Sequence, residues 1–306
     1  MRTRPIRPKI NQKQLFDEVK KRRDDILTSE RQSLGEALTR PIGQYGEEKL
    51  RILREYFYSY SAIVSNYFKE FIYLETCSGP GVCTLRESGR VVLGTPLLAM
   101  TNKPVFTKYY FVELDDQAHE ALAWRRKSYC PDANAEIVHD DCNNCIGSIV
   151  QKIPKNIPVL AVMDPEGLEL KWNQTVAPIA AHPRSEIFIN FPYDMAIKRC
   201  ISPNLSPATE LTVTECLGTE EWKPLRDAHL RGEISAEDLR DAFLDLYTDG
   251  LRKLGLMEVQ VSRLVRSDNN APLYFLVSAS RKQVARSIMK DIMKVDVSRQ
   301  TTILND

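Results

Sequence analysis

The sequence predicts a doubly wound α/β fold, a largely parallel sheet covered by helices on both faces and closed by an antiparallel hairpin. Three observations carry that expectation. Five short apolar runs, at 71–74, 109–112, 135–138, 158–163 and 186–189, alternate with helical stretches, the rhythm of a parallel sheet buried on both sides. Four of the five runs end in an acid beside a loop, and the first leads through Glu75 into Gly79-Pro80-Gly81. Near the end of the chain, apolar runs at 257–265 and 273–277 are separated by a polar turn too short for a parallel crossover, so they must pair antiparallel.

Composition supports a soluble globular chain: 43% of the 306 residues are hydrophobic and 27% are charged. No apolar run reaches the length of a membrane span, and no apolar core follows the opening MRTRPIRPKI, so a cytoplasmic protein is expected. Seven cysteines, an odd number spread along the chain, fit reduced thiols. The net charge of +1 conceals a basic arm, residues 1–23, with nine Lys or Arg against Asp17 and Glu18. Such an arm can hold phosphates or simply be a solvated extension.

In chain order, 14–27 and 45–69 read as helices. In the second, Leu50, Leu53, Tyr56, Phe57, Tyr60, Ile63, Val64, Tyr67 and Phe68 recur at three- and four-residue steps, an apolar stripe that braces the helix on a larger body. After the glycine turn, 84–93 intervenes as a possible flap before a helix with Thr95 as N-cap and Pro96 at its first position. Helices are expected at 117–128 and 172–181. The stretch 196–255 breaks the rhythm and reads as a helical insertion or lid; its clearest helix starts with a Ser235–Asp238 capping box and stops at Gly255. A last helix covers 281–293. The resulting division is 1–44 arm and helix, 45–195 cofactor-binding core, 196–255 helical insertion and 256–306 terminal hairpin and helix.

In a doubly wound sheet, ligands sit beyond the carboxyl ends of the strands, where strand order reverses. Glu75, Glu113, Asp140 or Asp141, and Asp164 should therefore meet at one crevice, suited to a ligand rich in hydrogen-bond donors such as an ammonium, a ribose diol and an exocyclic amine.

The arrangement resembles the Rossmann-like, seven-stranded S-adenosylmethionine-dependent methyltransferases, with Glu75-Thr76-Cys77-Ser78-Gly79-Pro80-Gly81 looking like their first motif. More narrowly, Tyr45-Gly46-Glu47-Glu48-Lys49-Leu50, Gly94-Thr95-Pro96-Leu97, Phe111-Val112-Glu113-Leu114-Asp115, Asp164-Pro165-Glu166-Gly167 with Trp172, and Asn190-Phe191-Pro192 resemble the three-Cys-motif partner (TcmP) proteins over about residues 40–195. The resemblance implies S-adenosylmethionine as cofactor, a separate three-Cys-motif protein as partner, DNA or RNA as a possible further partner, and no membrane. It also implies roles: Glu75 facing the methionine amino group, backbone around Cys77, Gly79 and Gly81 lining methionine and ribose, Glu113 on the ribose hydroxyls, and Asp140 or Asp141 on the adenine amine. Asp164 would border the transferred methyl, with Pro165 and Asn190 beside it as the other catalytic candidates. The chain departs from the family pattern at Cys77, where a glycine or an aromatic is usual, in the 84–93 insertion, and at Asp164-Pro165-Glu166-Gly167, where amino-group methyltransferases carry a second proline and an aromatic.

Other readings compete. Cys142 and Cys145 have zinc-ligand spacing, but no second pair accompanies them, and no metal site is expected. His139 beside Asp140 is the one histidine placed near the expected site, while Trp172 suits packing as well as substrate stacking. The leading function is methyl transfer to a nucleic acid or its precursor; the alternative is a non-catalytic cofactor-binding partner subunit. A dinucleotide oxidoreductase is disfavoured by Thr84, which stands where the last small residue of G-x-G-x-x-G would be.

Overall fold

The computed structural model describes residues 12–32, 38–193, 197–262, 264–266 and 272–294; the first eleven residues of the basic arm and the turn at 267–271 lie outside them. Helix α1 (Gln12–Gln32) and helix α2 (Gln44–Val64) flank a three-residue strand, β1 (Arg40–Ile42). Helix α2 buries Leu50, Leu53, Tyr56, Phe57 and Tyr60, as its stripe requires, and stops at Val64, short of the expected 69. The stripe runs out there: Tyr67 is 77% exposed.

The next elements are β2 (Ile72–Glu75), β3 (Val82–Leu85), β4 (Val91–Leu93), α3 (Thr95–Met100), β5 (Lys108–Glu113), α4 (Asp116–Tyr129), β6 (Ala135–His139), α5 (Cys142–Lys152) and β7 (Val159–Met163). A π-helical turn, Trp172–Val176, runs into α6 (Ala177–Ala181), followed by β8 (Ser185–Phe191) and a 3-10 turn, Ile197–Cys200. The insertion contains α7 (Pro207–Leu217), α8 (Trp222–Leu230) and α9 (Ala236–Lys253), and the chain closes with β9 (Glu258–Val261), β10 (Val265–Arg266), β11 (Pro272–Ser280) and α10 (Gln283–Lys294).

The central sheet has the order β10-β11-β8-β7-β2-β5-β6, with β9 also paired to β11. Strands β2, β5, β6, β7 and β8 are mutually parallel, and β11 runs antiparallel to β8. This is the mixed α/β, Rossmann-like sheet expected, with one more strand than the seven counted, because the run at 257–265 is split into β9 and β10. Alternation along each strand divides the core between two faces. Leu74, Val112 and Ile189 pack with α5, α6 and the insertion; Tyr73, Phe111 and Phe188 pack with α2, α3, α4 and α10.

Two local findings differ from the sequence reading. The 84–93 segment is largely a β3–β4 hairpin, and β1 joins it in parallel as a separate three-stranded sheet. Thr95 does not cap α3: Gly94 holds the N-cap position, and the Thr95 hydroxyl turns away to Glu75. The insertion follows expectation more closely. The Ser235–Asp238 capping box is formed, Gly255 ends the segment at φ +88°, and the insertion docks on Trp172, where Tyr247 meets the indole edge-on at 5.1 Å. Gly218 and Gly250 lie so close to that indole that a side chain at either would overlap it. Trp172, 7% exposed, is therefore a packing residue.

Candidate functional site

The order of the sheet reverses at β2, whose neighbours β5 and β7 leave in opposite directions, so the loop after β2 opens onto a switch point. That loop is tightly held. Gly79 and Gly81 have φ of +64° and +83°, left-handed values that a side chain disfavours. The Ser78 N–H and hydroxyl both donate to the Val112 carbonyl (3.0 and 3.1 Å), and the Gly79 N–H donates to Glu113 Oε2 (2.6 Å). From the other side the Gly94 N–H donates to the Gly81 carbonyl at 2.8 Å, an approach so close that a Cβ on Gly94 would sit 3.0 Å from the Gly81 backbone.

Beneath the loop lies Arg125 of α4, fully buried. One guanidinium nitrogen donates to the carbonyls of Pro80 and Leu38 (both 2.7 Å), while the other two grip the Glu30 carboxylate of α1 at 2.9 and 2.8 Å. The planar fork suits this double duty, and it ties the first helix to the glycine loop.

The carboxylates expected at the strand ends do different jobs. Glu113, 9% exposed, accepts from Gly79 and from the Leu114 and Asp115 N–H groups (both 3.0 Å), so it shapes the loop it was expected to serve. Asp164 reaches the crevice; its Oδ2 takes the Lys49 ammonium of α2 at 2.5 Å and its Oδ1 accepts from the Asn190 amide at 2.9 Å. Asn190 is 5% exposed, and its Oδ1 has no partner among the described residues. Pro165 is buried alongside, its carbonyl 3.5 Å from the Asn190 amide nitrogen. Asp140 accepts from the Asp141 N–H (2.7 Å), and Asp141 accepts from the Asn143 N–H as the N-cap of α5 (2.8 Å).

Glu75, expected to face a ligand amino group, is not among the residues that line the crevice. It is fully buried behind the loop, and both oxygens are taken, one by the Thr95 hydroxyl and one by the Tyr73 hydroxyl at 2.9 Å. Burial raises its pKa well above the usual carboxylate range, with the two hydroxyls opposing. From this position Glu75 braces the loop rather than facing a ligand ammonium. Interaction with the Cys142 thiol, together with burial, raises the Cys77 pKa, and the same interaction lowers that of Cys142 against the effect of its burial. His139 stands outside the crevice, exposed, stacked on His119 at 4.8 Å and paired with Asp116 at 2.9 Å.

Arg40, Lys49, Cys77, Gly79, Gly81 and Asp164 meet around a crevice of about 60 Å³. Two ion pairs cross its mouth from the β1–α2 segment: Lys49 to Asp164 and Arg40 to Glu166. Lys49 and Arg125 carry no role in the sequence reading. Each is a cation on a helix, the residue type normally left to solvent; the available signal was position, since Lys49 directly precedes the buried stripe and Arg125 follows Leu122 on the packed face of α4.

No family model matches the chain, and no curated protein matches it. Among solved structures it is similar to protein LPL1258 from Legionella pneumophila, at 13% identity and a TM-score of 0.51, over 79% of this chain and 89% of that one. This likeness bears on the fold alone. The methyltransferase domain of METTL16 (11% identity, TM-score 0.40, 87% and 97% covered) and a human methyltransferase 10 domain containing protein (11%, 0.37, 87% and 100%) are more distant and bear on neither fold nor function.

Proposed function

We propose that the chain is an S-adenosylmethionine-dependent methyltransferase of the three-Cys-motif partner kind, acting on an amino nitrogen of a nucleic acid or nucleic-acid precursor together with a three-Cys-motif protein. One observation carries this reading: the Asn190 Oδ1, a buried acceptor with no partner among the described residues, lies beside Asp164 at the switch point fed by the Gly79–Gly81 loop. A buried polar atom left unmet is rare in a folded protein and fits a ligand donor.

The residues present suit the cofactor in kind. The Gly79 and Gly81 backbone, with no Cβ in the way, would lie against it beside Cys77; Glu113 would accept from its ribose hydroxyls and Asp140 from its adenine amine, with Asp141 held mainly to capping. The cofactor supplies a methyl carbon made electrophilic by a sulfonium. The chain would align the acceptor amine: Asn190 Oδ1 and the Pro165 carbonyl would accept hydrogen bonds from it, and Asp164 would take the proton that the nitrogen gives up as the N–C bond forms, the methyl's bond to sulfur breaking with its electron pair left on the sulfur.

A second reading, a cofactor-binding subunit without turnover, draws support from the narrow crevice and the two ion pairs across it. Incubation with methyl-labelled cofactor and total RNA, DNA or protein separates the two. Label in nucleic acid, lost on Asp164→Ala and Asn190→Ala, supports transfer; saturable S-adenosylhomocysteine binding with no label, even with the three-Cys-motif protein added, overturns it.

A further inference from the structure

A second cavity, of about 550 Å³, opens at the opposite end of the sheet, between the end of α2, the starts of β7 and β8 and the end of β11. That volume falls within the range of small-molecule sites. Its walls are the apolar faces of Tyr60, Val64, Phe68, Pro158 and Pro183. Two polar atoms of its lining residues, closed off from solvent, have no partner among the described residues: the Tyr60 hydroxyl, and Oε1 of Glu186, whose other oxygen accepts from the Ser280 hydroxyl at 3.2 Å.

The nearby cation does not answer Glu186. Arg281 donates instead to the carbonyls of His182, Ala180 and Leu254 and to the Ser185 hydroxyl, at 2.6–3.3 Å. The exposed cations Lys155, Arg184 and Lys282 form the rim, with Arg184 stacked over the Phe68 ring at 4.8 Å. Among the described residues Glu186 is the one acid in the lining.

The chemistry selects among ligands. Three rim cations repel an amine and attract an anion. A fatty acid would satisfy the rim and walls but leave the carboxyl and phenol unmet. A nucleotide answers all three parts: flat faces for the walls, an N–H edge for the carboxyl and phenol, a phosphate for the rim. Guanine presents two adjacent N–H donors, the pattern a carboxylate accepts. The geometry points to a guanine mononucleotide site here, with Glu186 accepting from the base edge, Tyr60 bonding the base, and Lys155, Arg184 and Lys282 holding the phosphate. The site is separate from the cofactor crevice and stands whether or not the chain transfers methyl groups.

Titration calorimetry of the full chain with GMP tests it, run at about pH 8.5 so that the buried Glu186 carboxyl, pushed up to about 8, is mostly ionised. Expected are saturable one-to-one binding, a loss of about tenfold or more in Glu186→Gln, whose amide turns a donor toward the base, and a comparable loss in the exposed-rim pair Lys155→Glu with Lys282→Glu. The rim variant should leave guanosine binding unchanged, and S-adenosylhomocysteine should neither compete with GMP nor bind differently to either variant. No GMP binding up to millimolar concentration, GMP binding indifferent to both variants, displacement by S-adenosylhomocysteine, or tighter binding of decanoate than of GMP would each overturn the assignment.

Discussion

Glu75 and Glu186 stand at opposite ends of the same sheet, on strands separated only by β7, and the protein treats them differently. Glu75 is enclosed with a hydroxyl on each oxygen. Glu186 keeps one oxygen bonded and one unmet in the lining of a roomy cavity. The carboxyl end of the sheet is thus a finished scaffold, in which the polar groups around the loop are largely spent on one another. At the amino end, space and unmet hydrogen-bonding capacity coincide. The contrast distinguishes a buried acid that builds a site from one that waits for a ligand.

The largest effect should come from breaking the scaffold beneath the glycine loop. Arg125→Met removes the donors to Pro80 and Leu38 and takes the guanidinium away from the Glu30 carboxylate, which is 5% exposed. Removing one partner of a buried ion pair costs about 3–5 kcal/mol, and urea unfolding should show a loss of that order. Adding Glu30→Met should return much of it, because the carboxylate that lost its guanidinium is then gone as well. If Arg125→Met alone unfolds at the wild-type midpoint, the loop is not anchored in this way.

Next in size is the direct comparison of the two acids. Glu75→Ala leaves the Tyr73 and Thr95 hydroxyls buried without their acceptor and should cost about 2–4 kcal/mol, whereas Glu186→Ala takes an acceptor only from the Ser280 hydroxyl, which still accepts from the Lys282 N–H, and should cost about 1 kcal/mol or less. Equal losses would erase the distinction drawn between the ends.

The strand rhythm was legible in sequence because burial on both faces leaves continuous apolar runs, and the terminal antiparallel pair because so few residues join β10 to β11. The Ser235–Asp238 box was legible because capping is local chemistry. What stayed hidden is long-range. β1 is three residues long, and its parallel partner β3 lies some forty residues away, so nothing within either segment announces the second sheet. Thr95 sits where an N-cap belongs and spends its hydroxyl on Glu75 instead, a choice only the packed loop determines. Asp141, placed by strand-end logic among ligand-binding acids, is drawn to capping α5 because it directly precedes that helix. Lys49, Arg125 and the amino-end cavity depend on contacts between residues tens to hundreds of positions apart.

Acidity gives a third, intermediate test. Burial pushes Glu186 up to about 8 and raises Glu75 in the same direction. An acid whose folded-state pKa lies above its unfolded value makes the folded state bind more protons between the two, so stability falls as pH rises through that window, here roughly pH 4.5 to 8 for Glu186. Unfolding free energies should decline across this range, with Glu186→Gln removing on the order of 2 kcal/mol of the decline between pH 5.5 and 8. Any slope left in that variant includes the contribution of Glu75. A wild-type profile that is flat or rising in this range would show that Glu186 ionises freely and that its surroundings at the amino end are open to water.

The smallest effect is expected where the carboxyl end is closed rather than built. The Lys49–Asp164 pair is only partly buried, with side chains 15% and 22% exposed, so its net contribution to stability should be under about 1 kcal/mol, since water replaces each partner when it opens. Its consequence should appear in binding instead. If Lys49 and Arg40 hold the crevice shut, a ligand must displace them, and Lys49→Met, which keeps the aliphatic stem, should raise affinity for S-adenosylhomocysteine by a factor of about 2–5 by enlarging the open fraction. Calorimetry on the same variant should find GMP binding at the amino end unaltered. A fall in S-adenosylhomocysteine affinity would reverse the reading of Lys49, because a cation that leaves Asp164 to grip the methionine carboxylate is a ligand contact rather than a latch.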